Sequence, residues 1–367
     1  MKRTHGRVVH VESEADLERR LASGSRRLGS WRVAGLDLRG RGADLLGRDV
    51  TGAAFLGCRF DDGDDDALVE AGALVLPQVG ESPLDVYRGR LYTADELYDA
   101  DRYRDTLDAR AYAWAQEPPD REDALAIALH DHAIDEAITA WTPHHRVAGV
   151  MGGHGLRRDE PGYADAARLG RGLAAAGLTV ATGGGPGAME AANLGARLPD
   201  DALEAALATV AAVPSFRPSV DAWVRTAREA MDGVPVAAET LGVPTWHYGH
   251  EPPNLFATAI AKYLRNATRE AVLVEICDAG IVFLPGAAGT VQEVFQDGCE
   301  NYYADSMSLA PMVLLGERFW TETLPVHPLL TSLARDRPMA DHVHLVDTVE
   351  EAVAVLAAAR PADATGR

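Results

Sequence analysis

Thr290 and Glu293 stand three residues apart, just after an apolar run breaks at a proline and a glycine, in the stretch FLPGAAGTVQEVFQDG. A helix starting there would aim unpaired N–H groups and the positive end of its dipole at an anion cradled by Pro285, Gly286, Ala287, Ala288, Gly289 and Thr290. The three-residue spacing puts Thr290 and Glu293 on one helix face, so the carboxylate would stand close to that anion. The same spacing also describes a capping box, in which a threonine and a glutamate merely satisfy each other's backbone amides. Spacing alone leaves both readings open.

Two more glycine corners follow short apolar runs. MGGHG at residues 151–155 brings Gly152 and Gly153, and TGGGPG at residues 182–187 brings Thr182, Gly183, Gly184 and Gly185. The first lacks the GxGxxG spacing of a dinucleotide fingerprint, and no GK[ST] follows any glycine run to make a P-loop. Backbone amides and the Thr290 hydroxyl are therefore the expected phosphate ligands. Glu190 opens the helix after the second corner, where it suits either a ribose hydroxyl or simple dipole pairing. Upstream, NLFATAIAKYLRNATRE reads as a helix carrying Lys262, Arg265 and Arg269, the last two on one face. A basic residue at its end suits Glu293 or a phosphate as partner, and a surface salt bridge equally well. His247, Tyr248, His250 and Glu251 in WHYGHEPPN follow a strand end, which fits the lining of a base pocket or a polar turn. His130 and His132 in HDHAID point to different sides of a helix, so no metal site is expected, and no cofactor.

The elements that must position these residues alternate strand and helix. HRVAGVMGG, LTVATGGG, GVPTW, AGIVFLPG, PMVLLG and HVHLV are short apolar runs separated by helical patterns. This predicts an α/β, Rossmann-like, doubly wound parallel sheet over residues 143–360. In such a sheet ligands sit beyond the carboxyl ends of the strands. Residues 201–240 add two helical stretches, read as an insertion near the mouth of the sheet. Residues 83–142 read as a helical region broken at Pro118 and Pro119. Within residues 1–82, Leu45, Val50, Phe55 and Phe60 recur every five residues, which resembles a short pentapeptide-type β-helix or else an irregular glycine-rich segment. Residues 361–367 read as a disordered tail.

Composition narrows the function classes. The 367 residues carry 35 basic and 55 acidic side chains, a formal net charge of −20, and 47% of them are apolar. Such a field repels polynucleotides and anionic membranes, while leaving a single nucleotide admissible in a local basic pocket. Three cysteines without CxxC spacing suggest neither a disulfide framework nor a zinc site, and fit a reducing cytoplasm. The charged first twenty residues contain no signal-like run, and no spanning segment is expected.

Taken together, TGGGPGAMEAANLGA, WHYGHEPPNLFATAIAKYLRNATRE and PGAAGTVQEVFQD resemble the LONELY GUY family of nucleotide-binding, Rossmann-like proteins, long labelled lysine decarboxylase-like. The resemblance covers roughly residues 145–355 and is nearest to a larger bacterial branch with an N-terminal extension. It implies hydrolysis of the N-glycosidic bond of a nucleoside 5′-monophosphate to free base and ribose 5-phosphate, in a homodimer or higher homo-oligomer. It also implies that Glu293 acts on the ribose and the attacking water, with Arg269 as the second functional side chain. A non-catalytic nucleotide sensor or carrier is the alternative. Ala287 and Ala288 replace two of the family's usual glycines, so the loop must avoid backbone angles that only glycine tolerates.

Overall fold

The computed structural model describes residues 8–247, 251–305 and 308–359. The chain divides into two compact units, one formed by residues up to Arg90 with Glu117–Ala137, the other by Leu91–Gln116 and the residues from Ile138 onward. Among the described residues no helix is long and apolar enough to cross a membrane.

The first unit is a solenoid of parallel strands. Strands β1 (Val9–Val11), β2 (Trp31–Ala34), β3 (Ala54–Leu56) and β4 (Leu74–Leu76) pair in sequence order, all parallel. Their first residues, 9, 31, 54 and 74, are separated by 22, 23 and 20 positions, and each connection holds one helix: Glu14–Ala22, Gly42–Leu46 and Asp64–Glu70. The expected short β segment is therefore present, with a helix in each connection. The five-residue period is real inside one coil, where Leu28, Val33 and Leu38, then Val50 and Phe55, point into a shared core. Leu45 joins the same core from a helix, and the coil closes after about 22 residues.

The second unit is the expected doubly wound sheet. Strands β5 (Val147–Met151), β6 (Thr179–Thr182), β7 (Thr240–Gly242), β8 (Ala259–Ile260), β9 (Gly280–Phe283), β10 (Met312–Leu315) and β11 (Val343–Val346) form one sheet in the order β11-β10-β9-β5-β6-β7-β8. Every pairing is parallel. All residues of β5, β9 and β10 are buried, as strands covered by helices on both faces must be. The strand order reverses between β5 and β9, and a ligand crevice belongs at that switch point. Helices Pro161–Ala175 and Ala188–Arg197 pack in contact: a Cβ on Gly195 would lie 1.7 Å from the Ala167 carbonyl oxygen, so only glycine permits the approach.

Two sequence boundaries move. The elements within residues 83–142 are helical, and the region divides between the units, 91–116 clustering with the sheet-bearing one. The cause is Asp108, whose buried carboxylate accepts from Lys262 Nζ at 2.6 Å, Trp246 Nε1 at 2.9 Å and the Tyr103 hydroxyl at 2.5 Å. Lys262, in turn, does not lie on a helix with Arg269. It follows β8, buried against Asp108 and 4.8 Å from the Trp246 ring centroid, and the helix begins only at Asn266, with Arg265 as its N-cap. The insertion is present as two helices, Asp200–Ala211 and Val220–Met231. The expected tail at 361–367 lies outside the described residues.

Candidate functional site

The three glycine corners meet at the carboxyl ends of β5, β6 and β9. The Gly153 amide donates to the Pro285 carbonyl at 3.3 Å, and the Ala188 amide donates to the Gly153 carbonyl at 3.2 Å. Glycine is required where the corners touch. A Cβ on Gly187, whose φ is +77°, would stand 2.5 Å from the Gly153 oxygen, and one on Gly152 would stand 2.8 Å from the Ala188 Cβ.

At the third corner the helix runs Ala288–Tyr303, with Ala287 as an N-cap that makes no side-chain hydrogen bond. Thr290 is thus the third helical residue and Glu293 the sixth, which excludes the capping box. The same T-x-x-E spacing does build capping boxes elsewhere: Thr93 with Glu96, and Thr348 with Glu351, exchange both hydrogen bonds. In the Ala288–Tyr303 helix the first backbone bond runs from the Val291 amide to the Ala287 carbonyl. The amides of Ala288, Gly289 and Thr290 precede it and have no intrahelical acceptor. Pro285 and residues 287–289 are exposed while Thr290 is buried. Ala287 has a φ of −116°, so the alanines cost the loop nothing in backbone strain. Gly286 is constrained by space instead, since a Cβ there would lie 2.1 Å from the Thr290 hydroxyl.

Glu293 lies one turn further along, 6% exposed. Arg269, on the Asn266–Glu275 helix, reaches it: Nη1 is 3.4 Å from Glu293 Oε1 and 2.6 Å from Glu270 Oε1. The rest of the guanidinium is fixed by carbonyls, Nε donating to Val243 at 2.7 Å and Nη2 to Gly183 at 3.3 Å. Gly183 must be glycine, because a Cβ would lie 2.2 Å from Arg269 Nη2. Arg269 is therefore fixed by four protein groups and holds Glu293 in place. Burial pushes the Glu293 carboxyl up to about 7; Arg269 pulls against that shift and the nearby Glu270 carboxylate adds to it.

Other expected site residues have structural partners. The Thr182 hydroxyl donates to Asn193 Oδ1 at 2.7 Å and accepts from the Gly184 amide at 3.0 Å, so it shapes the second corner. Gly184 supplies a φ of +70° and accepts the Asn254 amide at 2.8 Å. Gly185 packs against Met189 and faces Glu251. Glu190 is closed off from a ribose by a buried ion pair with Arg158, whose Nη2 is 2.5 Å from Glu190 Oε1 and whose Nη1 donates to the Thr226 hydroxyl at 2.8 Å. Arg158 was invisible in the sequence as a site residue, since RRDE reads as a charged turn. Glu251 lines a cleft beside the second corner, 3.7 Å from His154 Nδ1. His247 is exposed, and its amide donates to the Thr245 hydroxyl. Tyr248 and His250 lie outside the described residues. No group of three or more potential metal ligands occurs among the described residues; His130 is fully buried with Nδ1 3.1 Å from Asp131 Oδ1.

No protein-family model and no curated protein matches the chain. Among solved structures it is similar to the molybdenum cofactor binding protein from the phototrophic bacterium Rippkaea orientalis, at 18% identity over 58% of this chain and 95% of that one, with a TM-score of 0.37. It is also similar to the molybdenum cofactor carrier protein from Chlamydomonas reinhardtii, at 21% identity over 58% of this chain and 96% of that one, with a TM-score of 0.36. Neither likeness assigns a ligand or an activity.

Proposed function

We propose that the crevice at the β5/β9 switch point binds a nucleoside 5′-monophosphate and hydrolyses its N-glycosidic bond. The observation that carries this reading is the pairing of an uncapped helix start with a buried carboxylate one turn away, raised to about 7 and held by Arg269. The amides of Ala288, Gly289 and Thr290 suit the phosphate, which places the ribose toward Glu293. In the reaction the bond between C1′ and the base nitrogen breaks and its electron pair leaves with the base. A water oxygen bonds to C1′, and Glu293 takes the water's proton, which solvent returns to the base nitrogen. The carboxylate also stabilises the positive charge that develops on the ribose. Arg269 positions that carboxylate. The LONELY GUY resemblance of the three motifs agrees with this assignment.

A second reading, binding without turnover, is favoured by the burial of Glu293, which restricts the approach of water. One variant separates the two. Glu293→Gln keeps the shape and the anion corner, so it should bind AMP within about threefold of wild type by calorimetry while turnover falls by about 10²-fold or more, the lower range for a missing general base. Undiminished turnover would remove Glu293 from the chemistry. Absent turnover in the wild type, with binding intact, would select the second reading.

A further inference from the structure

Arg269 faces two carboxylates, and the nearer one is not Glu293. Its Nη1 lies 2.6 Å from Glu270 Oε1 and 3.4 Å from Glu293 Oε1, while Nε and Nη2 are anchored on the Val243 and Gly183 carbonyls. Nη1 is thus the nitrogen that both acids share, and its short, charge-assisted bond goes to Glu270. Consecutive residues of a helix point to different sides, yet Arg269 and Glu270 are both buried, 8% and 3% exposed, and in contact. Glu270 Oε2 is buried without a hydrogen-bond partner among the described residues. A clamp that served only to fix Arg269 would not need a buried carboxylate with one oxygen unsatisfied, since that oxygen costs stability.

Glu270 changes the bond that is left for Glu293. A carboxylate that takes a close pair of hydrogen bonds from a guanidinium is stabilised as the anion and is a poor proton acceptor. Glu293 instead receives one long contact at 3.4 Å, which orients it without quenching its affinity for a proton. The other elements packed around it bring little competing charge. Cys277, after the Asn266–Glu275 helix, has a thiol that burial pushes well up. On the Ala288–Tyr303 helix, Asp297 stands one turn beyond Glu293 with its carboxyl raised well above its usual range by burial, and Glu300 lies further along. Strand β10, MVLL, has no titratable residue, and helix Val326–Ala334 has His327 alone, near its start. Glu270 is the like charge that bears on Glu293.

We propose that Glu270 is a positioning residue for the general base: it holds Arg269 Nη1 off Glu293 and so keeps the Glu293 carboxylate free to accept the proton of the attacking water. The catalytic half of this statement rests on the hydrolytic reading above, whereas the competition of two carboxylates for Nη1 does not.

Carbon-13 NMR of the full-length protein, labelled at the glutamate carboxyls and titrated from pH 4 to 9, tests it without turnover, the Glu293 signal being the one that Glu293→Gln removes. Glu270→Gln should move the Glu293 titration midpoint down by about one pH unit, the low end of what a nearby charge does. Glu270→Met, which removes the charge with an apolar chain of similar length, should do the same, and Glu270→Asp, which keeps the charge, should stay close to wild type. Initial rates of base release should show the acid limb moving down with the midpoint in Glu270→Gln. A midpoint that stays or rises in both uncharged variants would overturn the proposal and leave Glu270 as a brace for Arg269. An acid limb that stays while the midpoint falls would also overturn it, since Glu293 would then not be the base that Glu270 serves. If the midpoint falls but wild type releases no base, the competition for Nη1 stands and the hydrolytic reading falls.

Discussion

Glu293 is a carboxylate in a place that disfavours its charge, and that conflict has two consequences. As a base it must be ionised, so turnover should fall as pH drops through about 7, tracing an acid limb that the Glu293→Gln variant lacks; initial rates from pH 5 to 9 would show it. The second consequence concerns stability. The folded state holds the Glu293 proton more tightly than the unfolded chain does, so this residue's contribution is fully present below its ordinary pKa of 4.5 and is lost as pH rises toward about 7. Urea midpoints of wild type and Glu293→Gln should therefore diverge in the variant's favour across that window. A constant gap would show that Glu293 stays ionised throughout. Thr290 and Glu293 were legible in the sequence as a pair, but not what the pair does. The two capping boxes share the T-x-x-E spacing, and only the position of the helix start, at Ala288 rather than at Val291, separates this pair from them.

At the scale of elements, the corner at Pro285 offers free amides because β9 ends buried while the following helix starts exposed and uncapped. Gly286 makes the turn possible by letting the backbone pass the Thr290 side chain. Gly286→Ala would put a methyl 2.1 Å from the Thr290 hydroxyl and 2.6 Å from its Cβ, forcing the loop and the first amides to shift. Monophosphate affinity should fall about tenfold or more, the value of one hydrogen bond to a charged group, as read by calorimetry with AMP. Unaltered affinity would place the phosphate elsewhere. The glycine corners were legible as turns because a strand ending in glycines before a helix marks a tight bend or a close approach. The stretch NLFATAIAKYLRNATRE was not. A two-residue strand, Ala259–Ile260, and a short apolar run look like helix by periodicity, and only the partners of Lys262 reveal that the chain is extended there.

For the molecule as a whole, the parallel order of both sheets follows from strand–helix alternation, yet the assignment of residues 91–116 could not be read locally. It depends on Asp108 meeting Trp246 and Lys262 across 138 and 154 residues of sequence, and no pattern within either segment announces such a pairing. The Asp108–Lys262 pair is buried on both sides, each side chain 1% exposed. Asp108→Ala would strand the Lys262 ammonium and should cost roughly 3–5 kcal/mol of unfolding free energy by urea denaturation, whereas the double change Asp108→Leu with Lys262→Met should cost less than the single one. Equal losses would mean that the charge pair is not what joins the segment to the sheet. In the first unit, the coil length of about 22 residues is masked in the sequence by the five-residue spacing that recurs within each coil. It is interrupted by a helix before it can repeat.

The most direct test of the proposed chemistry is chromatographic detection of free base and ribose 5-phosphate after incubating the full-length protein with a panel of nucleoside 5′-monophosphates, beside Glu293→Gln. The two products should appear in equal amounts from at least one purine monophosphate, and the variant should release both about 10²-fold or more slowly. Base release by the variant at the wild-type rate, or no release from any member of a panel that binds, would contradict hydrolysis at Glu293.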